Sequence, residues 1–236
     1  MSIQLYDLVG KDGILLHSGN TAKAKAVLNL KKLKFNTIPL TFVEIHREIP
    51  KICDQGQWPP KVPVIVDPKH DGAIWDSWKI AEYLDEAYPD TPSVFNNNKP
   101  LHLFFEKYVI NHLYPHFTKL VMLDIYNLLD EPSAAYFRES REKYFGATLE
   151  KFCEDKESAR SQLKVTLSPI HDALKFTGWI SGENVGYSDF ILAGGFMLMK
   201  MGNPIEFENS LLNAFEDDVF RSWWTKVEPY VSGNGN

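Results

Sequence analysis

KVPVIVDP (residues 61–68), followed after KHD by GAIWDSWKIAEYLDEAY (72–88), is the part of the sequence on which the fold turns. Val62, Val64, Ile65 and Val66 supply the β-branched run of a short strand, AIW begins another, and KHDG between them reads as a hairpin turn. Proline has no N–H for a sheet ladder, so Pro63 belongs at an edge, a bulge or the first position of its strand. Asp76 and Ser77 are preferred residue types for a helix start. Behind them Ile80, Ala81, Leu84, Ala87 and Tyr88 recur at helical spacing.

Upstream, IQLYDLV (3–9) alternates like a strand. NTAKAKAVLNLKKL (20–33) places Ala24, Val27, Leu28 and Leu30 on one side and Lys23, Lys25, Lys31 and Lys32 on the other. That predicts an amphipathic helix with a solvated lysine face. FNTIPLTFVEI (35–45) reads as a second strand, placed at an edge by Pro39, and HREIPKICDQGQ (46–57) as a short helix and loop. The order β-α-β-(α)-β-β-α points to a small sheet with crossover helices. Downstream, PDTPSVFNNNKP is a linker signal. Beyond it the patterns are helical, broken only at DEPS and KFTGWISGENVG, and SGNGN at the end is expected to be disordered. The expected domains are 1–90, a linker at 91–100, and an all-helical 101–236.

The 236 residues are 44% hydrophobic and 24% charged, an ordinary globular balance. A formal charge of −6 argues against a nucleic-acid partner, which favours a basic face. No apolar run reaches 18 residues, so no membrane span is expected. MSIQLYDLVGKDG does not read as a secretory signal. The two cysteines, Cys53 and Cys153, form no paired motif, which suits a reducing compartment; a cytoplasmic location is the expectation.

SGNTAKAKAVLNLKKL, KVPVIVDP and AIWDSWKIAEYLDEAYP together resemble the cytosolic glutathione transferases, over nearly the whole chain. Among these, the first segment is most similar to the fungal FuA class and its bacterial relatives, the β-etherases. The chain keeps Ser18, Asn20, Thr21 and Lys23 and has Gly19 where those relatives carry proline, a change expected to loosen the loop. The resemblance implies a thioredoxin-like α/β N-terminal domain followed by an all-α C-terminal domain. It also implies glutathione as co-substrate, hydrophobic aromatic molecules as partners, a homodimer, and transferase chemistry with peroxidase or ether cleavage among its variants. The alternative is a ligandin-type binding protein for polyphenolic compounds without turnover.

Site roles follow from the same resemblance. Ser18 would donate its hydroxyl hydrogen bond to the glutathione sulfur, with Asn20 as the alternative donor. A free thiol with a pKa of about 8.5 is only roughly 3% thiolate at pH 7. Lowering that value by about two units takes roughly 2.7 kcal/mol, within reach of a charge-assisted bond plus a helix N-terminus. A cis bond at Pro63 would turn the backbone of Val62 outward to pair with the cysteinyl unit as an added strand does. Asp76 and Ser77 would hold the γ-glutamyl end. The helix N-terminus binds the carboxylate and the Asp76 side chain accepts from the ammonium. Lys61 would meet the glycyl carboxylate and Trp58 border the groove. Phe105, Tyr108, His112 and Phe117 would wall the co-substrate pocket, with plain core packing as the alternative for each one singly.

Several signals are set aside. His112 and His116 in HLYPH have a metal-like spacing, but Pro115 interrupts them and no third ligand stands near, so no metal is expected. His17 beside Ser18 lacks an acidic orienting partner. Cys53 is not where redox-active relatives carry their cysteine; Ser18 is. GYSDFILAGGF (186–196) reads as a capping box with Gly186 at the cap and Asp189 at its third position, a structural signal.

Overall fold

Strand β1 (Ile3–Leu8) alternates its faces, Ile3, Leu5 and Asp7 to one side and Gln4, Tyr6 and Leu8 to the other. The structure, a computed structural model, describes residues 2–13, 16 and 18–233. His17 and most of the SGNGN tail lie outside the described residues. After a short 3-10 turn at Lys11–Gly13, helix α1 (Gly19–Leu30) returns along the sheet to β2 (Phe35–Leu40), which pairs parallel to β1. Helix α2 (Phe42–Ile52), β3 (Val64–Val66), β4 (Ala73–Trp75) and α3 (Ser77–Ala87) complete the first half. The sheet order is β2-β1-β3-β4, with β3 antiparallel to both its neighbours. Pro39 therefore sits on an edge strand, where its missing N–H leaves no ladder bond unmade.

The second strand is shorter than the sequence pattern predicts. It stops at Leu40, and FVEI belongs to α2, because Thr41 accepts from the Glu44 N–H while the Glu44 carboxylate accepts from the Thr41 N–H. This reciprocal capping box outweighs the β-branched content of the stretch, and the helix runs on through Pro50.

The second half is helical: α4 (Lys99–Tyr108), α5 (Tyr114–Tyr126), α6 (Glu131–Phe145), α7 (Leu149–Phe152), α8 (Lys156–Thr177), α9 (Tyr187–Gly202), α10 (Pro204–Phe207) and α11 (Val219–Ser232). A π-turn at Val109–Leu113 joins α4 to α5 just before Pro115, whose lack of an N–H suits a break in the ladder. Asp189 fulfils the box of α9, accepting from the N–H groups of Gly186, Ile180 and Ser181 and from the Trp223 indole. The segment between the halves is not loose: Val94 and Phe95 are buried, and Phe95 packs on Trp78, His102 and Tyr187. No helix among the described residues is long and apolar enough to cross a membrane.

The lysine face of α1 is not solvated, contrary to the periodicity. Only Lys32 is exposed; Lys23, Lys25 and Lys31 are buried. Lys25 Nζ lies 3.6 Å from Asp7 under the sheet, and burial pushes the Asp7 carboxyl up and the Lys25 ammonium down. Lys31 meets Asp85 at 2.8 Å and Thr91 at 2.9 Å at the start of the linker. Lys23 reaches across to Glu106 of α4 at 2.7 Å. The helix is sandwiched between the sheet and the second half, so its polar side needs counter-charges from both.

Gly19 has a similar explanation. It is buried against α9: a Cβ placed there would lie 2.7 Å from both the Gly194 carbonyl oxygen and the Tyr114 hydroxyl. The expected loosening is replaced by a close helix–helix contact. Gly19→Ala is expected to cost about 1–3 kcal/mol, as overpacking does. At about 2–4 °C per kcal/mol for a chain of this size, the melting temperature should fall by several degrees. An unshifted melt, followed by circular dichroism, would show that α1 can slide freely on α9.

Candidate active site

A cavity of about 410 Å³ opens between the two halves. Ser18, Gly19 and Asn20 form one end of it, at the start of α1. Ser18 is the N-cap residue, yet its side chain makes no capping bond, so the hydroxyl is left for a partner outside the helix. A sulfur placed there would also feel the positive end of a twelve-residue helix.

Lys61 and Val62 line the neighbouring wall. The Val62–Pro63 peptide is cis, as is Trp58–Pro59. Among the described residues, neither the N–H nor the C=O of Val62 has a partner, and both remain available for an added strand. The loop is held by buried Gln55, whose amide accepts from the Lys61 N–H and donates to the Lys61 carbonyl, each at 2.8 Å. Nothing in the weak pattern HREIPKICDQGQ identifies that clamp, since a glutamine in a loop carries no periodic signal.

Pro63, Asp76 and Ser77 do not line the cavity itself. The register pairs Val64 with Trp75, so the next residues outward, Pro63 and Asp76, sit together at the same end of the sheet. Asp76 caps α3, accepting from the N–H groups of Trp78 and Lys79. It does so at φ 75°, ψ 125°, a region that costs a non-glycine residue on the order of 1–3 kcal/mol. Held this way it stays exposed at the end of α3, while Ser77 is buried.

The helical wall differs from the expected one. Tyr114, Thr118, Met122 and Ile125 of α5, Tyr136, Phe137 and Arg141 of α6, and Leu198 and Met201 of α9 face the cavity. Phe105, Tyr108, His112 and Phe117 do not. Phe117 is fully buried against Phe196, and Tyr108 donates to the Thr166 carbonyl with Phe105 and His112 beside it. Residues 114, 118, 122 and 125 make one stripe of α5, whereas Phe117 belongs to the stripe facing the core. Burial, with the Glu106 carboxylate nearby, pushes the Tyr114 phenol up to about 12, so it stays a hydrogen-bond donor at neutral pH. Opposite, Phe42, Ile45 and His46 of α2 close the wall, and burial lowers the His46 pKa. Trp58, largely exposed, rests on His46 at the rim with ring centroids 5.4 Å apart.

His112 and His116 bring no third ligand, and no group of three metal-ligating side chains occurs among the described residues. Burial raises the thiol pKa of Cys53, opposite to what a reactive thiolate needs.

Residues 17–87 match the family described as glutathione S-transferase, N-terminal domain, and residues 100–230 match glutathione S-transferase, C-terminal domain. A glutathione S-transferase-like protein, ustS, of Aspergillus flavus is 25% identical over 244 residues, spanning 92% of this chain and 86% of that protein. Glutathione transferase GSTFuA2 from Phanerochaete chrysosporium superposes with a TM-score of 0.85 at 27% identity, covering 98% of both chains. GSTFuA3 from the same organism gives 0.87 at 24% identity, over 98% of this chain and 97% of that one. The transferase CsGST63524 of Ceriporiopsis subvermispora, solved in complex with glutathione, gives 0.83 at 25% identity over 98% of both.

Proposed function

The chain belongs to the glutathione S-transferase family, and from that premise we propose that it joins glutathione to hydrophobic aromatic electrophiles, with Ser18 as the residue that activates the sulfur. The observation that carries this reading is the uncapped Ser18 hydroxyl, which opens on the same cavity as Val62 and the apolar helical wall. Glutathione would lie along the first half. Its cysteinyl amide would bond to the Val62 backbone, its γ-glutamyl end would meet Asp76 and the α3 N-terminus, and its glycyl carboxylate would meet Lys61. The thiol proton leaves to water. The sulfur lone pair then forms a C–S bond to the electrophilic carbon, and the leaving group departs with the bonding pair. Holding both reactants in one cavity supplies proximity, and a pre-formed thiolate supplies the nucleophile.

Calorimetric titration with glutathione tests the first half of this reading. Binding in the micromolar to millimolar range is expected, and Asp76→Ala should weaken it about tenfold or more, the loss of one charge-assisted contact. No binding by the folded protein would overturn the reading. An unchanged affinity in the variant would remove Asp76 from the site. Binding of aromatic ligands with no glutathione-dependent turnover would leave a carrier in place of a transferase.

A further inference from the structure

Arg141 is the exception among the arginines. Arg47, Arg138, Arg160 and Arg221 all have carboxylate partners within 4 Å. Arg141 has none among the described residues; its only polar contact is a long one to the Ser140 hydroxyl, at 3.5 Å. It nevertheless sits half-buried on the cavity wall, with its guanidinium 5.0 Å from the centre of the Phe137 ring. Among the described residues no aspartate or glutamate lines the cavity, while His46, Lys61 and Arg141 do. Burial lowers the Arg141 pKa from its ordinary value, but a guanidinium remains protonated in any protein setting. The cavity thus carries a fixed positive charge, partly desolvated and with no acidic side chain among the described residues to pair with it.

Beside that charge stands an aromatic wall. Phe42 lies 5.7 Å from Tyr136 and 5.9 Å from Phe137, and His46 lies 4.4 Å edge-on to Tyr136. A flat ring suits this wall, and a planar acid matches the fork of a guanidinium. We propose that Arg141 makes the protein selective for aromatic co-substrates that bear an acidic group, a carboxylate or sulfonate, which the guanidinium holds while the ring rests against Phe42 and Tyr136. The proposal rests on the transferase reading for its chemistry but not for its binding. A carboxylate in the cavity has two sources, the co-substrate or glutathione itself, and the charge on α6 is assigned to the co-substrate because Lys61 already stands beside Val62.

The kinetic test compares chloro-dinitrobenzoate with its amide at saturating glutathione. In both, the sulfur forms a bond to the ring carbon and chloride leaves with the electron pair, so the two differ only in the acidic group. In Arg141→Gln the ratio of kcat/KM for acid over amide should fall about tenfold, and Arg141→Lys should recover most of it. The binding test follows fluorescence on adding anilinonaphthalene sulfonate or its neutral counterpart phenylnaphthylamine, and needs no turnover. The Gln variant should lose about tenfold in affinity for the sulfonate relative to the amine. If neither benzoate nor amide reacts in the wild type but the sulfonate preference falls in the variant, the transferase reading fails and the anion site stands. Ratios unchanged in both tests overturn the proposal. So does a loss confined to the KM for glutathione, which would give Arg141 to the tripeptide.

Discussion

Ser18→Ala is expected to lower kcat/KM at pH 6.5 by roughly 5- to 50-fold and to move its apparent pKa upward by about two units. Two effects compete. With the bound thiol near pKa 6.5, about half is thiolate at that pH; at 8.5 only about 1% is, a fifty-fold loss. A more basic thiolate is also a better nucleophile, by about six- to ten-fold for a Brønsted slope of about 0.4–0.5. Population wins at low pH; the gap narrows as pH rises, and with full compensation the two rates cross between about pH 7.5 and 8. Glutathione affinity should change little at pH 6.5, by about twofold, because half of the bound thiol is protonated there in the wild type and gains nothing from Ser18. Steady-state rates across pH 6–9 and a titration at 6.5 settle the matter. An unmoved profile would exonerate Ser18 and transfer the role to Asn20.

Glu106→Gln is expected to be the most destabilising single change of those considered. Lys23 and Glu106 meet at 2.7 Å with side chains 6% and 9% exposed, so removing one charge leaves the other buried and uncompensated. Such losses run to about 3–5 kcal/mol. That corresponds to a fall in melting temperature on the order of 10 °C for a chain this long. Replacing both partners, Lys23→Met with Glu106→Leu, should restore most of the stability, because a packed apolar pair avoids the desolvation of two ions. Thermal melts of the single and double variants measure this. A single variant melting within about 2 °C of the wild type would mean that water or another group already compensates Lys23.

The alternation of strands and helices, the strand-proline-strand segment and the cap at Asp76 were legible because each rests on neighbours in sequence. So was the capping box of α9. The start of α2 was legible in principle, since Thr41 and Glu44 have the spacing of a capping box, but Phe42, Val43 and Ile45 pulled the reading toward a strand. The burial of Lys23 was not legible: its partner is 83 residues away, and local pattern assigns lysine to water. The wall of the cavity failed for a related reason. Periodicity shows that the α4–α5 rod has an inward side, but not that Tyr114, Thr118 and Met122 face the cavity while Phe117 faces the core. Arg141 and Gln55 gave no signal, because their roles depend on what they do or do not touch across the fold.

The contact of Gly19 with Gly194 has a consequence for descent. Together with the Lys23–Glu106 pair it ties the first turns of α1 to residues encoded far downstream. A crossover between two related genes within the linker would part each of these couples and join a bare glycine to a side chain it cannot accommodate, or a buried lysine to a neutral neighbour. The linker is a convenient boundary on paper, but a change at Gly194 in α9 or Glu106 in α4 bears directly on the start of the helix that carries Ser18.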